Sequence, residues 1–286
     1  MMIIVFGAKG QLGTELCSQL DKEKKSYTGL DREDVDITSL DCVIEKVLEL
    51  KPDIVINCAA YTQVDACETH IDDAYAVNAI GARNVAIAAE KHGAKLIHIS
   101  TDFVFDGNKN TPYYEFDAVN PLSMYGQTKL AGEVFVKQFS TKYFIIRTSW
   151  LYGHHGVNFV KTMLRLSETR SELSVVHDQI GSPTYVKDLI EGIVLTFPTE
   201  KYGIYHYSNE GQCSWSEFAK KIFKLSGRNI SVNEITGAEF GASAIRPTYS
   251  VMENYMFRQE FDYKAPRWED SLAVFLEKEN ILKKAL

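Results

Sequence analysis

The sequence has little that would tie it to metal, membrane or nucleic acid. Its five cysteines (Cys17, Cys42, Cys58, Cys67, Cys213) are scattered, with no Cys-x-x-Cys pair and no Cys/His ligand spacing. Neither a zinc site nor a disulfide framework is legible in that pattern. Cys17 and Cys58 lie in apolar stretches and are expected to be core thiols. An odd thiol count, with the chain entering directly into the apolar run Met2–Phe6, fits the reducing cytoplasm, which is the expected location. No apolar run approaches the roughly 18 residues that a membrane-spanning helix needs. Positive charge is also scarce: 31 Lys and Arg against 38 Asp and Glu leave a formal charge of −7. That balance argues against phosphate-backbone binding, which calls for clustered cations. The basic runs present, Lys22-Glu23-Lys24-Lys25 and Lys283-Lys284, are interrupted or terminal and read as solvated surface. Internal repeats, low-complexity stretches and flexible linkers are lacking too.

What is there is an ordinary globular composition, 45% hydrophobic and 24% charged over 286 residues, enough for one large domain or two modest ones. The first half alternates short β-type runs with longer helical patterns, which predicts an α/β fold with a doubly wound parallel sheet. Strands are expected at 3–6, 27–30, 54–57, 96–99 and 143–148, and helices at 11–20, 74–92 and 123–138. Past Trp150 the pattern loosens, with helices expected at 157–167, 186–196, 214–225 and from 268 to 277 or beyond, and a strand at 174–176. Ser214 or Ser216 would cap the third of these helices, with Glu217 in its first turn. Residues 1–150 are expected to form a dinucleotide-binding domain to which the chain returns around 176–200. Residues 151–286 would mainly form a smaller substrate-binding domain, with the substrate in the cleft between them.

Three motifs carry chemistry. The turn Gly7-x-x-Gly10-x-x-Gly13 follows the first strand and opens the first helix, the context of a dinucleotide fingerprint. Glycine lets the backbone approach a pyrophosphate, and the helix N-terminus, with the amides of Gln11 and Leu12, offers donors and partial positive charge. Asp31 ends the second strand, where a carboxylate would bond ribose hydroxyls and favour NADH. Arg32 beside it could instead accept a 2′-phosphate and permit NADPH. Asp36 and Ile37 could flank the adenine, although Asp36 could equally be a helix cap. The small residues of Asn57-Cys58-Ala59-Ala60-Tyr61-Thr62 end the third strand at the sheet edge where ligands bind. Ser100-Thr101-Asp102 occupies the same edge after the next strand. Finally, Tyr125 and Lys129 stand four apart on a helix and share a face. An ammonium beside a phenol favours the phenolate and would lower its pKa. Such a phenol can pass a proton to or from a carbonyl oxygen. With a dinucleotide beside it, the trio Thr101, Tyr125 and Lys129 would reduce ketones or oxidise alcohols.

The chain resembles the extended short-chain dehydrogenases/reductases, and within them the dTDP-4-dehydrorhamnose reductase family, over nearly its whole length. The resemblance rests on Gly10-Gln11-Leu12-Gly13, Asn57 to Asp65, Ser100 to Gly107 and Pro121 to Lys129. It continues through Arg147-Thr148-Ser149-Trp150-Leu151-Tyr152, Asn158-Phe159, Asp178 to Thr184 and Arg246-Pro247. It implies a Rossmann-type fold, NADPH or NADH as cofactor, and reduction of the 4-keto group of a dTDP-linked deoxysugar. By the same resemblance Gly7, Gly10, Gln11, Leu12 and Gly13 would hold the pyrophosphate, Asp31 the ribose, and Asp36 with Ile37 the adenine. Ala59, Ala60, Tyr61, Thr62 and Ser100 would line the cofactor channel, and Lys129 would hold the nicotinamide ribose. Thr101, Asp102 and Trp150 would face the sugar, with Asn158 and Arg246 as further nucleotide-sugar contacts. Tyr61 stands where the family often has His. Some members dimerise through a metal held by acidic side chains, and Glu15 could mimic one such ligand. A first-turn Glu is more often a dipole partner, so no metal is expected, and the protein is expected to be a monomer or a homodimer. An epimerase or dehydratase of the same superfamily is the second reading, weakened by Phe103 where a dehydratase would carry Glu. A non-catalytic regulatory subunit, like that of methionine adenosyltransferase, is the third, and the intact trio weighs against it.

Overall fold

The computed structural model describes residues 1–282; Lys283 and Lys284, read above as surface, lie outside the described residues. Six strands form one sheet in which every neighbouring pair is parallel. They are β1 (Met2–Phe6), β2 (Ser26–Leu30), β3 (Ile54–Asn57), β4 (Lys95–Thr101), β5 (Tyr143–Thr148) and β6 (Gly203–His206), in the order β6-β5-β4-β3-β1-β2. The main helices are α1 (Gln11–Lys22), α2 (Leu40–Leu50), α3 (Ala82–His92), α4 (Met124–Phe139), α5 (Phe159–Leu166), α6 (Val186–Leu195), α7 (Trp215–Ser226), α8 (Tyr255–Phe261) and α9 (Trp268–Lys278). Among the described residues no helix is long and apolar enough to cross a membrane.

Successive strand residues point to opposite faces, so a strand buried on both faces reads as a continuous apolar run. Ile3 and Val5 enter one core, with Leu12, Leu16 and Leu20 of α1, Leu189 and Ile193 of α6, and Phe257 of α8. Ile4 and Phe6 enter the other, with Val43 and Val47 of α2, Val85 and Ala89 of α3, and Val136 of α4. The sheet is therefore wound on both sides, the Rossmann-type arrangement expected. A third core, separate from the sheet, gathers Val160, Leu173, Phe218, Ile222, Leu272 and Phe275 from α5, α7, α9 and the parallel strand pair Glu172–Val176 and Ser231–Ile235.

Several elements differ from expectation. The helix expected over 74–92 begins at Ile71 and passes through a π turn, Ala76–Gly81, before becoming α3. Helix α2 was not among the expected elements, although Leu40, Val43, Ile44, Val47 and Leu48 recur at helical spacing. Strand β6 was missed because it is four residues long and begins on a glycine. After α6 packs on the face of the sheet that holds α1, the chain continues to β6, which pairs Gly203 with Phe144 of β5. Ser214, not Ser216, caps α7: its Oγ accepts from the Glu217 amide, and Glu217 returns a bond to the Ser214 amide. Ser216 donates instead to Glu234.

Candidate active site

The strand order reverses between β1 and β3, and at that point the carboxyl ends of β1, β3, β4 and β5 open into a cleft of about 950 Å³. Ligands of open α/β sheets sit at such a reversal. The glycine turn forms its floor. Gly7 has φ +75°, and a Cβ on it would lie 2.7 Å from the Ala59 amide nitrogen, so the loops after β1 and β3 can come this close only with glycine here. Gly10 starts α1 without a side-chain cap, and the first-turn amides of Gln11, Leu12 and Gly13 precede the helical ladder. These are donors for an anion. The Gln11 side chain is already committed: it donates to the Leu151 carbonyl (3.1 Å) and accepts from Asn158 (2.9 Å).

At one end of the cleft Asp31 accepts from the backbone amides of Lys9 and Arg32, both at 2.8 Å. These bonds lock the carboxylate across the glycine turn. Arg32 is exposed on the same rim, and Lys9 pairs with Glu33. Asp36 lies on the wall, its carboxyl held below the ordinary value by the amide and hydroxyl of Thr38. It is a turn former, not a helix cap. Ile37 beside it is buried and lines the same end.

Ala59, Ala60, Tyr61 and Thr62 form the opposite wall. Their loop is fixed by Asn78, a residue the sequence reading passed over. Buried in the π turn, Asn78 accepts from the Tyr61 amide (2.8 Å) and donates to the Tyr61 carbonyl (3.1 Å) and to Thr128 Oγ1 (3.1 Å) of α4. A π turn inside a helix is often found beside a functional site. An asparagine in the middle of an alanine-rich helix was the available signal.

Thr101, Tyr125 and Lys129 all line the cleft as well, and the Thr101 hydroxyl bonds the Tyr125 phenol. Helix α4 is placed by its start: Ser123 Oγ accepts from the Gly126 amide, and a Cβ on Gly126 would lie 2.2 Å from the Phe103 carbonyl oxygen. The helix therefore presses on the turn after β4, and Phe103 meets the Tyr125 ring edge-on at 5.4 Å. Thr101 Oγ1 donates to Asp102 Oδ1 at 3.0 Å. One electrostatic expectation is corrected. Burial raises the Tyr125 phenol above its ordinary value; the Thr101 hydroxyl pulls it down and the charge of Asp102 pushes it up, but Lys129 has no resolved effect on it. Lys129 Nζ donates to the Ile99 carbonyl at 2.6 Å, and burial lowers its own pKa to about 8. A phenol raised in this way is protonated at neutral pH. Asp102 is pushed up to about 6 by burial, against bonds from Ser250 and Thr101, and its Oδ2 has no hydrogen-bond partner. Ser100 lines the cleft while its hydroxyl donates to Glu133.

Trp150 closes the cleft from the C-terminal side. Its φ of +46° is a left-handed conformation rare for a bulky residue. It is held there by stacking on Trp215 at 3.5 Å and by the Thr184 amide, which donates to its carbonyl. Asn158 and Arg246 do not line the cleft. Asn158 caps α5, accepting from the Lys161 amide, and its amide group donates to Gln11 and Gly153. Arg246 makes a two-pronged bond to Asp65, at 3.0 and 2.7 Å. Glu15 lies outside the cleft and pairs with Lys187 and His155, each at 3.3 Å.

Nearly the whole chain is similar to known proteins. Residues 1–281 match the family described as RmlD substrate binding domain. The spore coat polysaccharide biosynthesis protein SpsK of Bacillus subtilis is 43% identical, over 96% of both chains. A dTDP-4-dehydrorhamnose reductase of Aggregatibacter actinomycetemcomitans is 40% identical, over 94% of this chain and 96% of its own. The crystal structure of dTDP-4-dehydrorhamnose reductase from Bacillus anthracis in complex with NADP superposes with a TM-score of 0.95 at 49% identity, over 97% of this chain and 99% of that one.

Proposed function

The chain belongs to the RmlD substrate-binding-domain family, and from that premise we propose that it reduces the 4-keto group of dTDP-4-dehydro-L-rhamnose to dTDP-L-rhamnose with NADPH or NADH. The observation that carries the reading is that Thr101, Tyr125 and Lys129 all line the cleft that opens above the glycine turn. The residues present fit a dinucleotide: a close glycine approach that a Cβ would block, first-turn amides of α1, and the carboxylate of Asp31 at the far rim. Gly10, Gln11 and Leu12 would hold the pyrophosphate through backbone amides, and Lys129 the nicotinamide ribose. When bound, the dihydronicotinamide supplies the hydride.

Tyr125 donates the proton. A phenol kept protonated by burial suits the reducing direction, because the carbonyl oxygen needs a proton as it becomes an alkoxide. Thr101 orients that oxygen from beside Asp102, and donors fixed before the reaction stabilise its developing charge without reorganising. Trp150 forms the sugar wall. Residues 1–150 with 186–206 would serve the cofactor, and the remainder the nucleotide sugar. Asn158 acts through Gln11, and Arg246 through Asp65, rather than by touching the reacting sugar. The reaction belongs in the cytoplasm, with the protein acting as a monomer or homodimer.

The test follows NADPH and NADH oxidation with dTDP-4-dehydro-L-rhamnose as substrate. Rapid oxidation that depends on the sugar and is lost in Tyr125→Phe supports the reading. A protein that binds the cofactor and leaves the sugar untouched refutes it. Cofactor that copurifies and never exchanges would point to an epimerase or dehydratase cycle.

A further inference from the structure

Glu133 is a fully buried carboxylate that none of the steps above uses. It stands four residues beyond Lys129 and eight beyond Tyr125, on the same face of α4. Its Oε1 accepts from Ser100 Oγ (2.5 Å) and Arg147 Nε (2.9 Å), and its Oε2 from Arg147 Nη2 (2.7 Å). Ser100 and Arg147 are register partners on β4 and β5. Ser100 is flanked by Ile99, whose carbonyl receives the Lys129 ammonium, and by Thr101. One carboxylate thus joins β4 and α4, the two elements that carry the reacting groups, to β5. The Arg147 guanidinium is fixed from behind by the Phe105 ring, 5.3 Å away, and by His206 Nε2 at 3.4 Å.

A buried ion pair of this kind is seldom required for stability, since well-packed apolar residues of similar volume do as well or better. Its location asks for another reason. Taking the reductase reading of the site as its basis, we propose that Glu133 is a positioning residue: clamped by Arg147, it holds the ends of β4 and β5 against α4 in the register that brings Thr101, Tyr125 and Lys129 together, and it is the anion that the Lys129 ammonium faces. The charged and titratable groups around Lys129 are few. Cys58 faces it from the end of β3, His98 from β4, and Tyr125 and Glu133 from its own helix. Burial lowers Lys129, and Glu133 is the larger of the influences that raise it again. Without Glu133 the ammonium would lose its proton at lower pH, and with it the grip on the ribose.

The experiment compares wild type, Glu133→Asp, Glu133→Gln and the double variant Glu133→Gln/Arg147→Gln, which leaves no lone buried charge. Two quantities are followed against pH: kcat/KM and the Kd for NADPH. The expected result is an alkaline limb moved down by about one pH unit in Glu133→Gln, with NADPH affinity lost over the same range, and moved down by less in the double variant, because the opposing Arg147 charge leaves with the carboxylate. Glu133→Asp keeps the limb in place, although its shorter reach lowers kcat. Either Gln variant decides the matter if the other does not fold. A folded Gln variant whose pH profile superimposes on wild type, merely scaled down, overturns the proposal. A wild-type protein that binds NADPH but reduces no 4-keto nucleotide sugar overturns the reductase reading instead, and the pH dependence of NADPH affinity still reports on Glu133.

Discussion

Tyr125 is a weaker acid in this fold than a free phenol, because burial disfavours the phenolate more than its neighbours restore it. That has a kinetic consequence. Tyr125→Phe removes the proton donor while leaving the ring and its edge-on contact with Phe103, so kcat should fall by about two orders of magnitude or more with NADPH affinity intact. Steady-state kinetics beside fluorescence titration of the cofactor checks both halves. Glu115 offers a separate test at the same scale. Burial pushes its carboxyl from the ordinary 4.5 up to about 7; its Oε1 accepts from the amides of His206 and Met256, while its Oε2 has no partner. A carboxyl raised on folding contributes stability that is fully present below about 4.5 and lost as pH rises through about 7. Glu115→Gln should therefore gain on wild type between pH 5 and pH 8 when the two are compared by denaturant unfolding. A constant difference across that range would contradict the assignment.

At the scale of elements, helix α4 matters because it is pressed into place rather than merely formed. Gly126 lies against the Phe103 carbonyl with no room for a Cβ, so Gly126→Ala must push the helix start outward and carry Tyr125 with it. A displacement near 1 Å can cost about a hundredfold in rate. The expected outcome is a folded protein with kcat reduced on that order and a near-normal circular dichroism spectrum. Helix α7 supplies the contrast. Its capping box, Ser214 with Glu217, belongs to the third core, away from the proton donor. Ser214→Ala should remove about 1 kcal/mol of stability and leave kcat unchanged. If Ser214→Ala lowered kcat as Gly126→Ala does, the two cores would be more tightly coupled than the packing implies.

For the whole molecule, the cleft lies at the carboxyl edge of the sheet, and Trp150, packed on the third core, is what that core contributes to its lining. Its left-handed backbone persists only while the Trp215 stack and the Thr184 amide hold it. An aromatic pair contributes about 0.5–1.5 kcal/mol beyond area burial. Trp215→Ala should therefore raise KM for the nucleotide sugar by about three- to tenfold and leave the Kd for NADPH near its wild-type value. A loss confined to cofactor affinity would show that Trp150 serves the other side of the cleft.

By itself the sequence determined what local chemistry determines. The β-α alternation announced the doubly wound sheet, the glycine spacing announced the tight strand-to-helix turn after β1, and the four-residue spacing placed Tyr125 and Lys129 on one helix face. These signals were legible because each depends on a few consecutive residues whose backbone preferences or periodicity allow little else. Only the tertiary structure decided the rest. It set Lys129 on the Ile99 carbonyl, so that burial governs the phenol in place of the ammonium. It turned Asn158 and Arg246 to Gln11 and Asp65, and Asn78 to the Tyr61 backbone. It added β6 to a sheet begun some two hundred residues earlier, and it drew Ser100, Glu133 and Arg147 together from three elements. Desolvation and long-range hydrogen bonds depend on what the remainder of the chain places around a group, and no stretch of neighbouring residues carries that information.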